Sequence, residues 1–441
     1  MINVVFCATA AQGLALAPFR RKAERTVSPE QRVGAPNLNY LYSMKTYHVP
    51  LIIQAIQWIF VKKKTPGKAL ELLFKTYEVN SFDRRMVAEN VYEIIRWWRL
   101  LIEVNTANPS MQDANLARII GINLIRKGNN LPPHDWLKSL NTNTITKKLG
   151  EKKKIDVCRH SLPDWLEEKG FSELGSTWDV TMEALNTNYK QCLRVNTLKI
   201  SKEEVVKDFE GHKMKFSTSP LSDDGIALDE FEEIFKHPFF KEGKIEIQDI
   251  GSQHVSYFAG VKPGMRVVDA CAGAGGKTLH LAARMKNKGK IIALDIQEYK
   301  LEELKKRCKR AGVENVEIKF LENTKVVKRL KETADVVLID APCSGLGVLK
   351  RNPDIKWKLH ANELEEIVTI QKNILQQYAT MVKKGGKLVY VTCSIFPSEN
   401  ETRIKDFIAA NPAFELEEEK NISPSIPESD GFYMARLVKK I

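Results

Sequence analysis

The chain has 441 residues, 43% of them hydrophobic, which suits about three domains with real cores and excludes a disordered chain. Its 68 Lys and Arg against 55 Asp and Glu leave a formal charge of +13, so a polyanionic partner is expected, either nucleic acid or an acidic membrane surface. The 7 cysteines are odd in number and lack zinc-ligand spacing, which excludes a disulfide framework and a structural zinc site.

The apolar start MINVVFCATAAQGLALA has no basic lead and is followed by Arg20, Arg21 and Lys22, against the order of a secretory signal. No apolar run approaches the roughly 20 residues of a membrane span, so no membrane partner and a cytoplasmic, reduced chain are expected. Residues 1–44 are expected to be a disordered tail or an extension from the chosen start codon. Residues 45–155 read as a helical domain. VPLIIQAIQWIFVKKK is one helix, with lysines suited to its C-terminus. SFDRRMVAENVYEIIRWWRLLIE is another, capped by Ser81, with Met86, Val87, Val91, Ile94, Ile95, Trp98 and Ile102 at helical spacing. LNTNTITKKLGEKKK is polar and reads as a linker.

Residues 156–243 form a lead-in of mixed type, with helices at LPDWLEEKG and TWDVTMEAL and a strand at QCLRVNTLKI. Over 244–441 strands and helices alternate. The strands are MRVVDA, KIIALDI, VEIKFLE, ADVVLIDA and GKLVYVTCS; the helices are GGKTLHLAARM, EYKLEELKKRCKRAG, ANELEEIVTIQKNILQQYATMV and ENETRIKDFIAA. Strands apolar on both faces that alternate with helices predict an α/β fold, a doubly wound Rossmann-like parallel sheet. An all-helical domain precedes it.

The first strand of that sheet runs into Cys271-Ala272-Gly273-Ala274-Gly275-Gly276-Lys277-Thr278. Such a turn lets backbone N–H groups approach a ligand closely. A phosphate-cradling Walker loop needs Gly where Cys271 stands, and the dinucleotide fingerprint needs Gly where Thr278 stands, so neither fits. A tight structural turn explains the glycines equally well. Asp295 at the end of the next strand adds a carboxylate that can accept both hydroxyls of a ribose. Asp269, the turn and Asp295 together suit a nucleoside without a pyrophosphate, and S-adenosylmethionine is such a ligand.

Two further strands end in Asp340-Ala341-Pro342-Cys343-Ser344-Gly345 and in Thr392-Cys393-Ser394. Ligands of open parallel sheets bind beyond the carboxyl ends of the strands. Both cysteines are therefore expected at the reaction edge. Lone cysteines are mostly packing residues, the reading taken for Cys7, Cys158, Cys192 and Cys308.

The strings DACAGAGGKT, DAPCSGLGVLKRNPDIKW and VTCSIFPSENE resemble motifs I, IV and VI of the Sun/RsmB-type RNA (cytosine-5) methyltransferases. Gln248-Asp249, Arg194-Val195-Asn196-Thr197 and Asp430-Gly431-Phe432-Tyr433 match the same pattern. The resemblance covers about 160–441, and residues 45–155 occupy the place of that family's NusB-like RNA-binding domain. It implies a SAM-dependent enzyme on RNA, with ribosomal RNA of the small subunit favoured, and a monomer. It implies Cys393 as nucleophile at cytosine C6, Cys343 as the group promoting release, and Asp340 on the N3/N4 edge. Lys277 is a candidate for activating the thiol or for contacting the ligand. Cofactor contacts are expected from Cys271, Ala272, Gly273, Ala274, Gly275, Gly276, Lys277, Asp295 and Asp340. Asn323 stands where family members carry an adenine-contacting Asp. Lys350, Arg351 and Arg194 are candidate RNA contacts. The target base must be unpaired or flipped out, so single-stranded loops in structured RNA are expected. No metal is expected. Alternatives are a transfer-RNA enzyme or a non-catalytic RNA-binding assembly factor. An amino-directed methyltransferase would carry a polar-Pro-Pro-aromatic tetrad where Cys343 stands.

Overall fold

The computed structural model describes residues 44–105 and 110–441, so the expected tail lies outside the described residues up to Tyr42 and Ser43. Of the described residues, those from 44 to 167 form one compact unit and residues 168–441 another.

The first unit is built on helices His48–Phe60, Pro66–Thr76, Ser81–Arg96, Trp98–Asn105, Asp113–Arg126 and Thr142–Lys152. Apolar stripes at helical spacing bury Ile52, Ile56, Leu70, Leu73, Val87, Val91, Ile94, Leu116 and Ile120. One polar cluster lies inside: Asp83 accepts from Tyr47 Oη at 2.8 Å and faces His48 Nε2 at 2.9 Å.

Two expectations are corrected here. The long helix from Ser81 breaks at Trp97, whose φ of −106° and ψ of 19° leave the helical region, and its cap is Asn80 rather than Ser81. The segment read as a linker is instead the helix Thr142–Lys152. Asn141 caps it by accepting from Thr144 N at 3.0 Å, and only Ile145 and Leu149 are buried. One i, i+4 apolar pair was too small a signal against eight polar neighbours.

The second unit holds two sheets. Strands β1 (Cys192–Val195), β2 (Phe216–Ser219), β3 (Ser222–Leu228) and β4 (Ile245–Ile247) form an antiparallel sheet in the order β2-β3-β1-β4. The helix Lys202–Gly211 carries a capping box made by Ser201 and Glu204. It packs Val205 and Phe209 against Leu193, Val195, Ile226 and Ile245.

The larger sheet comprises β5 (Arg266–Asp269), β6 (Lys290–Asp295), β7 (Val316–Phe320), β8 (Ala334–Asp340), β9 (Val382–Thr392), β10 (Phe414–Ile422) and β11 (Phe432–Lys439). Their order is β10-β11-β9-β8-β5-β6-β7. The five strands β5 to β9 are parallel to one another, as the doubly wound reading predicts. Strand β11 is antiparallel to β9, and β10 to β11, so the sheet is mixed rather than wholly parallel. Strand β11 begins where β9 ends, with Tyr433 opposite Thr392. The reversal thus carries Asp430 to Phe432 back to the edge where the two cysteine-bearing strands finish.

Candidate active site

Strand β5 delivers the glycine-rich turn, β8 delivers Cys343 and β9 delivers Cys393, and these three strands are neighbours in the order β9-β8-β5. The side chains meet accordingly. The sulfurs of Cys343 and Cys393 lie 3.4 Å apart, and both residues are buried. Lys277, on the first turn of the helix Gly276–Arg284, places its Nζ 2.6 Å from Asp340 Oδ2 at the end of β8. The same ammonium lies 5.5 Å from the centre of the Phe432 ring at the start of β11.

The turn is held from below. Gly275 adopts φ 88° and precedes the helix, a conformation that glycine enters without a Cβ penalty. Arg307 Nη1 donates to Ala274 O at 2.8 Å, and Arg194 Nη1 donates to Gly276 O at 2.7 Å and to Gln248 Oε1 at 2.5 Å. Glu246, itself buried, pairs with Arg307 at 3.0 Å and with Arg310 at 2.5 Å. Burial works to raise the Glu246 pKa, but Arg307, Arg310 and Arg194 hold it below the usual carboxylate range.

Two carboxylates face the ligand side of the turn. Asp295 accepts Gly273 N and Gln297 N, each at 2.8 Å, one on each oxygen. A carboxylate has about four acceptor positions, so its outer lone pairs remain able to take ribose hydroxyls. Asp269 accepts Thr278 Oγ1 at 2.7 Å through Oδ2, while its buried Oδ1 has no hydrogen-bond partner. Burial pushes the Asp269 pKa up to about 7, and Asp340 and Asp295 add to the rise. An orphaned, buried carboxylate oxygen beside the glycine turn suits a ligand carrying positive charge and donors. S-adenosylmethionine, with its ammonium, sulfonium and ribose hydroxyls, is such a molecule. Cys271 is half-buried in the turn, and burial, with Asp295 and Asp340 nearby, holds its thiol well above the ordinary range, so it stays protonated.

The loops bearing the two cysteines are clamped by residues that the sequence reading did not single out. Glu399 accepts Ser344 N at 2.8 Å, Ser344 Oγ at 2.6 Å, Gln371 Nε2 at 3.1 Å and Ser394 Oγ. Asn400 accepts from Thr392 Oγ1 and donates to Ser394 O at 3.0 Å. Gly347 N donates to Cys393 O at 2.8 Å, and Gly431 N donates to Gly347 O at 2.9 Å. A Cβ on Gly347 would sit 2.3 Å from Gly431 O and 2.7 Å from Cys393 O, so three backbones meet where only glycine fits.

Three expected RNA contacts need correction. Arg194 is 2% exposed and is bound to the turn carbonyl, so it supports the cofactor side from inside. Lys350 is also 2% exposed and donates to Ile426 O at 2.9 Å and to Ser429 O at 3.0 Å. Arg351 Nε donates to Asp430 Oδ2 at 2.6 Å. A buried cation must be matched by protein acceptors: Arg194 and Lys350 are buried and matched to backbone carbonyls and Gln248, and the half-buried Arg351 pairs with Asp430. Asn323 lies three residues beyond β7 and is exposed, and its Oδ1 accepts from Lys325 N at 3.0 Å, starting the short helix Lys325–Arg329. Among the described cysteines, Cys158, Cys192 and Cys308 are buried, and burial raises all three thiols, that of Cys308 to about 11. No helix among the described residues is long and apolar enough to cross a membrane.

Residues 260–438 match the family described as 16S rRNA methyltransferase RsmB/F, and residues 162–234 match the ferredoxin-like domain described for RsmF/B-like methyltransferases. The chain is 34% identical over 269 residues to the probable ribosomal RNA small subunit methyltransferase B of Bacillus subtilis, across 57% of this chain and 60% of that protein. It is 32% identical over 291 residues to ribosomal RNA small subunit methyltransferase B of Klebsiella pneumoniae, across 64% of this chain and 67% of the relative. The chain thus spans about two thirds or less of the length of these curated relatives. The crystal structure of the protein designated PH0851 superposes with a TM-score of 0.76 at 27% identity, over 90% of this chain and 99% of that one. With the glycine turn, the Pro-Cys and the Thr-Cys strand ends assembled on one sheet edge, this chain belongs to the RsmB/F family of 16S rRNA methyltransferases.

Proposed function

We propose that the protein is a SAM-dependent RNA (cytosine-5) methyltransferase acting on small-subunit ribosomal RNA, with Cys393 as nucleophile. The observation that carries this reading is the 3.4 Å approach of the Cys343 and Cys393 sulfurs at the ends of adjacent strands, beside the Lys277–Asp340 pair. The ribosomal substrate is carried over from the family and its small-subunit relatives.

Carbon 5 of cytosine is a poor nucleophile. A thiolate from Cys393 adding at carbon 6 turns carbon 5 into an enamine-like centre. Bound S-adenosylmethionine supplies an electrophilic methyl group on a sulfonium. Asp340, backed by the Lys277 ammonium, holds the N3/N4 edge and steadies charge as the adduct forms. After transfer, the carbon-5 proton leaves to a base, the ring electrons return, and the C6–S bond breaks. Cys343, in van der Waals contact with the Cys393 sulfur, is the group set to promote that elimination. The turn from Cys271 to Lys277, with Asp269 and Asp295, holds the cofactor. The buried thiols require a base drawn out of its stack, so the substrate cytosine is unpaired or flipped. Residues 45–155 serve as an RNA-binding domain of NusB-like type, 156–243 as a lead-in subdomain and 244–441 as the methyltransferase domain. The protein acts as a monomer in the cytoplasm, where its thiols stay reduced.

The test separates the two thiols. With unmodified small-subunit rRNA transcript and cofactor, Cys343→Ser accumulates a covalent protein–RNA adduct on a denaturing gel. Cys393→Ala yields neither adduct nor methylated RNA. Exchanged behaviours would reverse the assignment, and label entering RNA from both variants would sink it.

A further inference from the structure

We infer that Glu399 is a positioning residue that sets the spacing of the two reactive sulfurs by gripping the serine that follows each cysteine; this rests on the two-thiol reading above. Glu399 is 0% exposed and closes the short turn Pro397–Glu399, six residues after Cys393. Each of its neighbours offers it a donor. From the β8 side come Ser344 N at 2.8 Å and Ser344 Oγ at 2.6 Å; from the β9 side comes Ser394 Oγ. Gln371, on the long helix Ala361–Ala379, donates from Nε2 to Glu399 at 3.1 Å and to Pro342 O at 3.0 Å. One carboxylate therefore spans both cysteine loops, and Gln371 ties the same carboxylate to the residue before Cys343.

Taking a carboxylate out of water is costly unless its lone pairs are filled. Here they are filled by four donors, all from the two loops or from Gln371. Burial raises the Glu399 pKa, and the bonds from Ser344, Ser394 and Gln371 work against that rise. Oε2 faces two groups that can only donate, Ser344 N and Gln371 Nε2, while Oε1 faces the two serine hydroxyls. Glu399 reaches the two cysteine loops through the serines that follow Cys343 and Cys393. Asn400 adds a second grip on the Cys393 side alone. Its neighbour Glu399 reaches both sides, next to the direct Ser344 Oγ–Ser394 Oγ contact at 3.1 Å and the Gly347 N–Cys393 O bond at 2.8 Å. The doublet Cys343-Ser344 and the doublet Cys393-Ser394 thus have one purpose: the thiol does the chemistry and the serine places it.

Glu399→Gln keeps the volume but replaces one charged acceptor oxygen with an N–H₂ group, so both serine hydroxyls must turn from donors to acceptors and the straps weaken. A displacement of about 1 Å between reacting groups costs about 100-fold in rate. The expected result for full-length Glu399→Gln, with radiolabelled cofactor and unmodified rRNA transcript, is a single-turnover methyl-transfer rate down by about 100-fold. The KM for RNA and the affinity for S-adenosylmethionine stay within about twofold, which a general loss of structure would not allow. In a Cys343→Ser background, adduct formation slows by the same ratio. Ser394→Ala slows transfer by about tenfold, and adding it to Glu399→Gln costs nothing more, since both remove one strap. A single-turnover rate of Glu399→Gln within about threefold of wild type, or additive costs with Ser394→Ala, would overturn the inference. If Glu399→Gln fails to bind cofactor or to unfold cooperatively, Ser344→Ala and Ser394→Ala decide alone: unchanged transfer rates overturn it. An absence of adduct in Cys343→Ser with Glu399 intact counts against the two-thiol reading instead, and leaves the rate comparison standing.

Discussion

Replacing Gly275 by alanine tests the cofactor turn directly. At φ 88° an L-residue costs about 1–2 kcal/mol. The new Cβ would stand 2.1 Å from Leu304 Cδ1 and 3.2 Å from its Cγ. Leu304 is fully buried on the helix Glu298–Ala311, so its tip has no open space to enter. Overpacking of this kind costs a further 1–3 kcal/mol, approximately, giving about 2–5 kcal/mol in all. That is a large share of the stability of an ordinary domain, about 5–15 kcal/mol. The turn would relieve the clash by moving away from Leu304, carrying with it the N–H groups of Gly273 and Gly275 and the first turn of the helix that bears Lys277. Urea unfolding should therefore show the stability loss, and calorimetric titration should show S-adenosylmethionine affinity reduced by at least about tenfold. Leu304→Ala removes the clashing tip. The double variant should lie about 1–3 kcal/mol above the sum of the single costs, leaving the backbone strain. Strictly additive losses, or wild-type cofactor affinity in Gly275→Ala, would refute the steric account.

Lys277→Met removes the 2.6 Å cation from the largely buried Asp340, a change that costs up to about 3–5 kcal/mol. Adding Asp340→Asn should restore part of that stability in thermal melts while methyl transfer stays abolished; a double variant less stable than Lys277→Met contradicts the pairing. For Asp269 the native pKa of about 7 lies above the roughly 3.9 of an unfolded aspartate. Between those values the native state keeps a proton that the unfolded chain has lost, so this group lowers stability as pH rises through the window, by up to about 1.4 kcal/mol per pH unit. Asp269→Asn should flatten that slope in urea titrations run from pH 4 to 7, and an unchanged slope would show the carboxyl to be ionised throughout. Glu246→Gln removes the anion shared by Arg307 and Arg310 and should destabilise the protein by about 3–5 kcal/mol, with Arg307→Met in the same chain recovering part of it. Equal stability of Glu246→Gln and wild type would mean that solvent, not Glu246, compensates the guanidinium groups.

The parallel part of the sheet was legible because β5, β6 and β8 carry short Val, Ile and Leu runs that are mostly buried, as does the second half of β9. Strand ends were legible for the same reason, which is why Asp269, Asp295, Asp340, Cys343 and Cys393 could be placed on one edge from order alone. Strand β10 was not: FELEEEKNI lies at the sheet edge with mostly exposed side chains, and a charged edge strand looks like a loop. Arg194, Lys350 and Arg351 were misread because a basic residue declares its charge but not its burial. Their acceptors are backbone carbonyls, the Gln248 side chain and an aspartate that fold back from 248, 276 and 426–430, distances no local window spans. Glu399 was quoted within VTCSIFPSENE but given no role. The usable signal was the repetition of Ser after both Cys343 and Cys393, since two identical followers at two strand ends imply a common partner.

Buried charge is distributed around this site in a consistent way. The glycine turn rests on Arg194, Arg307 and Glu246, the cysteine loops rest on Glu399, and the segment leading into β11 is held by Lys350 and Arg351. Each of these ions is compensated in part by groups belonging to the loop it holds. A small displacement of the loop therefore costs both the hydrogen bonds and the desolvation already incurred by the ion, so each loop has one low-energy position and a steep rise around it. That steepness is what a reaction between a sulfur, a flipped base and a methyl donor requires, because none of the three is bonded to the others until the step occurs. Residues that never touch RNA or cofactor should accordingly show kinetic defects as large as those that do, and the defects should fall on the rate of transfer rather than on binding.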